Sequence, residues 1–373
     1  MSRDGASKPY HYSDYGRARH SVRATLASSL ANLRESCLTG DGARGVAHPT
    51  FKPQLIWKVT VANCIKLQMN IDDIKVLARR IPRLALAKNL GASFLASGIT
   101  NHNYRVDADG ESFVLRVPGE NTGLLGIDRR HEAHNHRVAA AAGVAPEVVG
   151  LIEPEGCLVT RFIGGRNIPS ERLRVPEMIR RVVKALRPIH TGPAFRGVFC
   201  PFRTFERYLA MARERKSPLP DNPTEIEKLK CEIERALYVQ SPLAPRPIHA
   251  DLLTGNFIAD GESIIILDWE YSGMGDIFFD LAKFSAHHQF GDDGERCLLQ
   301  ACFGGVRERD VARLRLMRIM SELREAMWGV VQARLSTLDF DFVGYAKQFF
   351  ERMMRQATDQ QYPNWLKSAA GVG

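Results

Sequence analysis

The stretch PIHADLLTGNFIADGESIIILDWEYSGMGD, residues 247–276, sets a histidine, several acids and an asparagine around one very apolar run, Ile264 to Leu267. Asp251 and Asn256 follow His249 in the spacing H-x-D-x-x-x-x-N, and Asp268 stands twelve residues beyond Asn256, where the apolar run ends. Hard divalent cations such as Mg²⁺ prefer oxygen ligands, commonly one or two carboxylates together with substrate phosphates. The spacing matches the phosphoryl-transfer template. There the first Asp orients or deprotonates an acceptor hydroxyl, and the Asn and second Asp hold the metal that bridges the nucleotide phosphates. Single members say little. His249 reads as a satisfied core histidine, and Asp276 and Asp280 read as residues that cap a helix or pin loop backbone. Asp251, Asn256 and Asp268 together, flanked by strand signals, carry the chemistry.

These side chains need elements to bring them together. Ile264–Leu267 predicts a short strand ending at Asp268, and NFIAD, 256–260, predicts a second. A hairpin through the turn ADGE then gathers Asp251, Asn256 and Asp268 at one mouth. Upstream, 94–105 and 112–117 predict two strands joined by DADG, 129–142 a helix stopped by Gly143, and 148–152 and 157–162 two more short strands before the break at Gly164-Gly165. From Val175 the pattern is mainly helical: 175–190, 201–215, 224–238, 279–288, 307–335 and 341–358. The order predicts an α+β, bilobal, protein-kinase-like fold. A small strand-rich N-lobe would cover 69–163, and a larger, mostly helical C-lobe 164–373.

Composition is that of a globular enzyme: 373 residues, 45% hydrophobic and 25% charged. The net charge of +9 is unevenly spread, because residues 1–68 hold ten Lys/Arg against four acids and leave only +3 for the rest. A basic tail can bind polyanions, but the body has no basic stripe interleaved with aromatics, so nucleic acid is not expected as the main partner. Residues 1–68 read as a poorly structured extension, either transit-peptide-like in composition or an upstream extension of the reading frame. The second is preferred, because MNIDDIKVLARRIP from Met69 begins a helix with acids in its first turn. The seven cysteines are scattered without C-x-x-C spacing, which predicts reduced thiols in a cytoplasmic protein. Apolar runs are too short for a membrane span. Nothing here sets the oligomeric state.

From about Gly91 to Met354 the chain resembles the choline/ethanolamine kinase family, within the aminoglycoside-phosphotransferase-like kinases. HADLLTGNFI and ILDWEYSGMGDIFFDLAKF look like its catalytic loop and metal segment, SGITNHNYRV like its nucleotide loop, FVLRVPG like its phosphate-binding strand, and REAMWGVVQARLSTLDFDFVGYA like its substrate-binding helices. The resemblance implies an ATP- and Mg²⁺-dependent kinase of small amino alcohols. Asp251 would be the base and Asn256 and Asp268 the metal ligands, with Glu270 a further metal or substrate-cation contact. Gly98, Thr100 and Asn101 would lie over the ATP phosphates. Arg116 would grip phosphate oxygens with its fork of donors, held in place by Glu132.

For the acceptor, a quaternary ammonium needs aromatic faces and acids, since it has no N–H to donate. Tyr271, Trp328, Phe342 and Tyr345 are the candidate aromatic groups. Where eukaryotic choline kinases usually carry a second tryptophan, three residues before Trp328, this chain has Glu325. That carboxylate would still attract a cation and would suit a primary ammonium. Choline is expected first and ethanolamine close behind. An aminoglycoside or thiamine-like phosphotransferase is the alternative enzyme, although the excess of arginine over 307–335 does not suit a polycation. A nucleotide-binding scaffold is the non-enzyme alternative.

Overall fold

Apolar residues alternate with polar ones through 101–118, as a half-buried antiparallel pair requires. In the computed structural model, which describes residues 69–95 and 101–371, this region forms the centre of a five-stranded antiparallel sheet. Helix α1 (Ile71–Ala78) leads into it, capped by Asn70 with Asp72 and Asp73 in the first turn, as the sequence predicts. After α2 (Pro82–Ala85) come β1 (Leu90–Phe94), β2 (Asn101–Ala108) and β3 (Glu111–Pro118). Helix α3 (Arg129–Ala141) follows, then β4 (Val148–Ile152) and β5 (Cys157–Arg161), in the sheet order β1-β2-β3-β5-β4. The single strand expected over 94–105 is two strands: Phe94 pairs with Tyr104, so the chain reverses between them. Ile74, Leu84, Tyr104, Val106, Phe113, Leu115 and Val159 form the core of this lobe.

The remainder is mainly helical. After β6 (Arg166–Asn167) and α4 (Ser170–Leu173), helices α5 (Pro176–His190), α6 (Pro201–Glu214) and α7 (Pro223–Glu234) lead to β7 (Arg246–Ile248). The predicted hairpin is β8 (Phe257–Asp260) and β9 (Ser263–Ile266), with Phe257 opposite Ile266 and Asp260 opposite Ser263. Strand β10 (Gly273–Gly275) pairs with β7, and a Cβ on Gly275 would stand 2.5 Å from Ile248 Cδ1 and 2.8 Å from the Phe199 carbonyl. Only glycine permits that approach. Then come α8 (Ile277–His287), α9 (Asp292–Phe303), α10 (Glu308–Leu335), α11 (Phe342–Ala357) and α12 (Tyr362–Ala370).

Helix α10 is the axis of this lobe, packed by α6, α8, α11 and α12, and every residue from Met320 to Gln332 is buried. A helix buried all round must pair each charge it carries. Arg313 meets Asp276 at 3.0 Å, Glu322 meets Arg352 at 2.7 Å, and Arg324 meets its neighbour Glu325 at 3.0 Å. Among the described residues no helix is long and apolar enough to cross a membrane. The segment 1–68, Gly98 and Thr100 lie outside the described residues.

Candidate active site

The loop between β7 and β8 is built from the backbone outward. Asp280, fully buried on α8, accepts the N–H groups of His249 (2.9 Å) and Ala250 (2.7 Å), and its Oδ2 lies 2.8 Å from His190 Nε2. The Asp251 N–H donates to His249 Nδ1 at 3.1 Å, so His249 Nε2 carries the proton and donates to the Leu267 carbonyl at 2.8 Å. His249 is a structural strut, fully buried, tying the loop to the end of the hairpin. Asp276 caps α8 through the Phe278 N–H at 2.9 Å. Both acids do the backbone work expected of them.

Ala250 and Asp268 both sit in the left-handed backbone region, at φ +66° and +63°. Each costs on the order of 1–3 kcal/mol for a non-glycine residue. The two bonds from Asp280 and the hairpin closure, Leu267 N–H to Asn256 carbonyl at 2.9 Å, hold these conformations. The strained residues aim Asp251 and Asp268. Asn256 donates its Nδ2 to the Asp251 carbonyl at 2.8 Å, which leaves its side-chain oxygen as the atom available to a cation.

Asp251 is nearly buried, its side chain 10% exposed, with Lys283 Nζ at 3.7 Å and Arg324 Nη1 at 3.5 Å from Oδ1. Burial pushes its carboxyl up to about 6. The Lys283 and Arg324 charges oppose the rise, and Glu325 and Asp268 add to it. On the sheet side, Arg116 from β3 bridges Glu132 of α3 and Asp268, so the expected Arg116–Glu132 pair is formed. Arg129, at the start of α3, extends the chain of charges. It lies 2.8 Å from Glu132 and 3.0 Å from Glu270, and donates to Asn101 Oδ1 at 2.9 Å. Asn101 in turn donates to Glu270 at 2.8 Å. Burial raises the Glu270 carboxyl, helped by the Asp268 charge and opposed by Arg129 and Arg116.

The oxygen donors present, Asn256 and the part-exposed Asp268, suit a hard cation shared with phosphates. No group of three His, Cys, Asp or Glu among the described residues forms a cage for a metal ion. Asn256 and Asp268 are the residues that would hold such an ion.

Asn101 and Glu325 are each held by partners inside the protein. Asn101, expected over the nucleotide phosphates, is 4% exposed and its amide is engaged at both ends, so it ties β2 to Glu270. Glu325, expected to offer its carboxylate to a substrate cation, is buried against Lys283 and Arg324 and accepts the Tyr345 hydroxyl at 2.6 Å. Burial alone would raise the Glu325 carboxyl, but Lys283 and Arg324 outweigh it and hold it below its ordinary value. In each case one partner stands far away in sequence, on another element: Glu270 for Asn101 and Lys283 for Glu325.

Trp328, Phe342 and Tyr345 do come together. Trp328 meets Phe342 at 5.8 Å and Tyr345 at 5.6 Å between ring centroids, both edge-on. Tyr271 lies under the Arg324 guanidinium, 4.2 Å from its carbon to the ring centroid. Arg129, Lys283 and Arg324 escape a reading by motif. Faint signals exist: Arg129 stands three residues before Glu132, and Lys283 is the lone lysine of an apolar helix.

Known proteins resemble this chain in sequence and fold. Residues 91–316 match the family described as Phosphotransferase enzyme family. The chain is 32% identical to protein LicA of Haemophilus influenzae over 205 residues, which is 54% of this chain and only 60% of that protein's length. It is 28% identical to ethanolamine kinase 2 of Mus musculus over 318 residues, 76% of this chain and 81% of that one. The crystal structure of a choline/ethanolamine kinase family protein from Mesorhizobium loti superposes with a TM-score of 0.70 at 30% identity, covering 80% of this chain and 99% of that one. The two-lobed, protein-kinase-like fold predicted from the element order is thus the fold of these relatives. The chain belongs to the phosphotransferase enzyme family, in its choline/ethanolamine kinase group.

Proposed function

We propose that this protein transfers the γ-phosphoryl group of ATP to the hydroxyl of a small amino alcohol, of which choline and ethanolamine are the first to test. The observation that carries this reading is Asp251, nearly buried and with its carboxyl raised to about 6, on a loop braced against the hairpin that presents Asn256 and Asp268. In the transfer, the acceptor oxygen forms a bond to the γ-phosphorus, the bond from that phosphorus to the β-bridging oxygen breaks, and ADP leaves. Asp251 takes the hydroxyl proton as the new bond forms. Asn256 and Asp268 would hold Mg²⁺, which neutralises charge on the phosphates. Arg116, an always-charged fork, adds a second positive group beside Asp268. Positioning and charge stabilisation supply most of the rate. Trp328, Phe342, Tyr345 and Tyr271 form the aromatic side of the acceptor pocket. A cytoplasmic place is consistent with free thiols and soluble substrates.

The test is acceptor-dependent ADP release in the presence of Mg²⁺, with choline, ethanolamine, thiamine and kanamycin compared. Stimulation by an amino alcohol above the acceptor-free rate is expected. Stimulation by kanamycin or thiamine alone would replace this reading with the alternative phosphotransferase.

The pH profile gives a second check. Because burial favours the neutral carboxyl, the basic form of Asp251 disappears on acidification at about pH 6, and not near pH 4. The acceptor kcat/KM should fall about tenfold per pH unit below that point and level off above it. A profile that breaks near pH 4 would mean that the base is solvated.

A further inference from the structure

Asp251 stands beside two buried cations and yet is hydrogen-bonded to neither. Its Oδ1 lies 3.7 Å from Lys283 Nζ and 3.5 Å from Arg324 Nη1, and this buried oxygen accepts no hydrogen bond among the described residues. Both cations are 2% exposed, and a charged donor kept out of water must find an acceptor. A carboxylate this close would ordinarily capture them.

Glu325 takes them instead. Its Oε2 accepts Lys283 Nζ, from α8, and Arg324 Nη1 at 3.0 Å, and its Oε1 accepts the Tyr345 hydroxyl, from α11, at 2.6 Å. Both of its oxygens are therefore engaged, by donors on three helices, which fixes the side chain. The charges around the base are Lys283 and Arg324, positive, and Asp251, Glu325 and Asp268, negative, with Asp268 matched by Arg116 on the sheet side. Without Glu325, Asp251 is the carboxylate that both cations already flank. Hydrogen bonds from an ammonium or a guanidinium to a carboxylate are short, about 2.7–2.9 Å, and among the strongest in proteins. Made here, they would turn Asp251 toward α8 and α10 and away from the hydroxyl whose proton it takes.

We propose that Glu325 is a positioning residue for the base: by engaging Lys283 and Arg324 it keeps both off Asp251 and leaves that carboxylate free to face the acceptor. The proposal rests on the alcohol-phosphotransferase reading above, in which Asp251 is the base. It gives Glu325 a place in that reaction without contact to the acceptor.

The experiment is steady-state ADP release by the full-length protein, with choline or ethanolamine, whichever the parent uses faster. The parent is compared with Glu325→Gln and with the double variant Glu325→Gln/Lys283→Met. Glutamine keeps the size of the side chain and an oxygen for Tyr345 but releases both cations, so kcat and acceptor kcat/KM should fall together by about tenfold or more, with the KM for ATP unchanged. Removing Lys283 as well takes away one released cation, and kcat should return to within about threefold of the parent. Replacing a buried ion pair by uncharged groups of similar volume is often neutral for stability, so the double variant is expected to fold. A role in stability alone gives no such recovery. Parent-like kcat in Glu325→Gln overturns the proposal. So does a double variant as slow as the single one, or a rise in acceptor KM with kcat kept, which would mean that Glu325 contacts the substrate cation. Where Glu325→Gln is not recovered folded, the double variant decides: recovery to within about threefold supports the proposal and a greater loss overturns it. Failure of both variants to fold assigns Glu325 to stability and overturns it too. No acceptor-dependent ADP release by the parent takes down the alcohol-phosphotransferase reading itself, and the proposal with it.

Discussion

Asp251→Ala should lower kcat by about 10²- to 10⁴-fold, the range typical of a positioned general base, while ATP affinity changes little. The side chain contacts Lys283 and Arg324 on the helical side, whereas the groups placed for the nucleotide, Arg116 and Asp268, pair with each other. Asn256 is held by the Asp251 carbonyl, a backbone atom that alanine retains, so the metal-side oxygen keeps its place. Equilibrium nucleotide binding and single-turnover transfer, measured on the same preparation, separate the two effects. Near-normal turnover in this variant would remove Asp251 from the mechanism.

The second large effect is on stability. Arg129→Met should destabilise the protein by about 3–5 kcal/mol, the cost of stripping one partner from a buried ion pair, and lower Tm by on the order of 10 °C. Glu132 and Glu270 have side chains 1% and 3% exposed, and Arg129 faces both. Glu132 keeps Arg116, but Glu270 is left with only the Asn101 amide among the partners described. The sign of the pH dependence follows. The Glu270 carboxyl is already raised by burial and by Asp268, and loss of Arg129 raises it further. The folded variant therefore holds a proton that the unfolded chain has released, and its stability falls as pH rises through that window. The defect should be small in acid, where a neutral Glu270 needs no counter-charge, and full at neutral pH and above. Denaturant titrations at two pH values measure it. Equal stability of variant and parent at neutral pH would show that the network is not continuous.

Local elements could be read early because their causes are local. Asn70 with Asp72 and Asp73, the alternation through 101–118, and the ADGE turn between two apolar runs each specify their own segment. The misread strand over 94–105 shows the limit: Phe94 and Tyr104 prove to be cross-strand partners, a pairing that residue types over so short a stretch do not specify. The hairpin carries the same lesson in favourable form. Its turn and register are local, so the positions of Asn256 and Asp268 fall at the same end of it by construction.

Residue types and spacing by themselves determined the order of the lobes and the Asp251–Asn256–Asp268 constellation, since these depend on period, turn chemistry and chain distance. Only the tertiary structure decided how the charges are matched. Asn101 and Glu270 are 169 residues apart and Lys283 and Glu325 are 42 apart, yet each pair is in direct contact. Burial forces every charge to find a partner, but it does not say which one. That choice is made by helix packing, which sets Glu325 against Lys283.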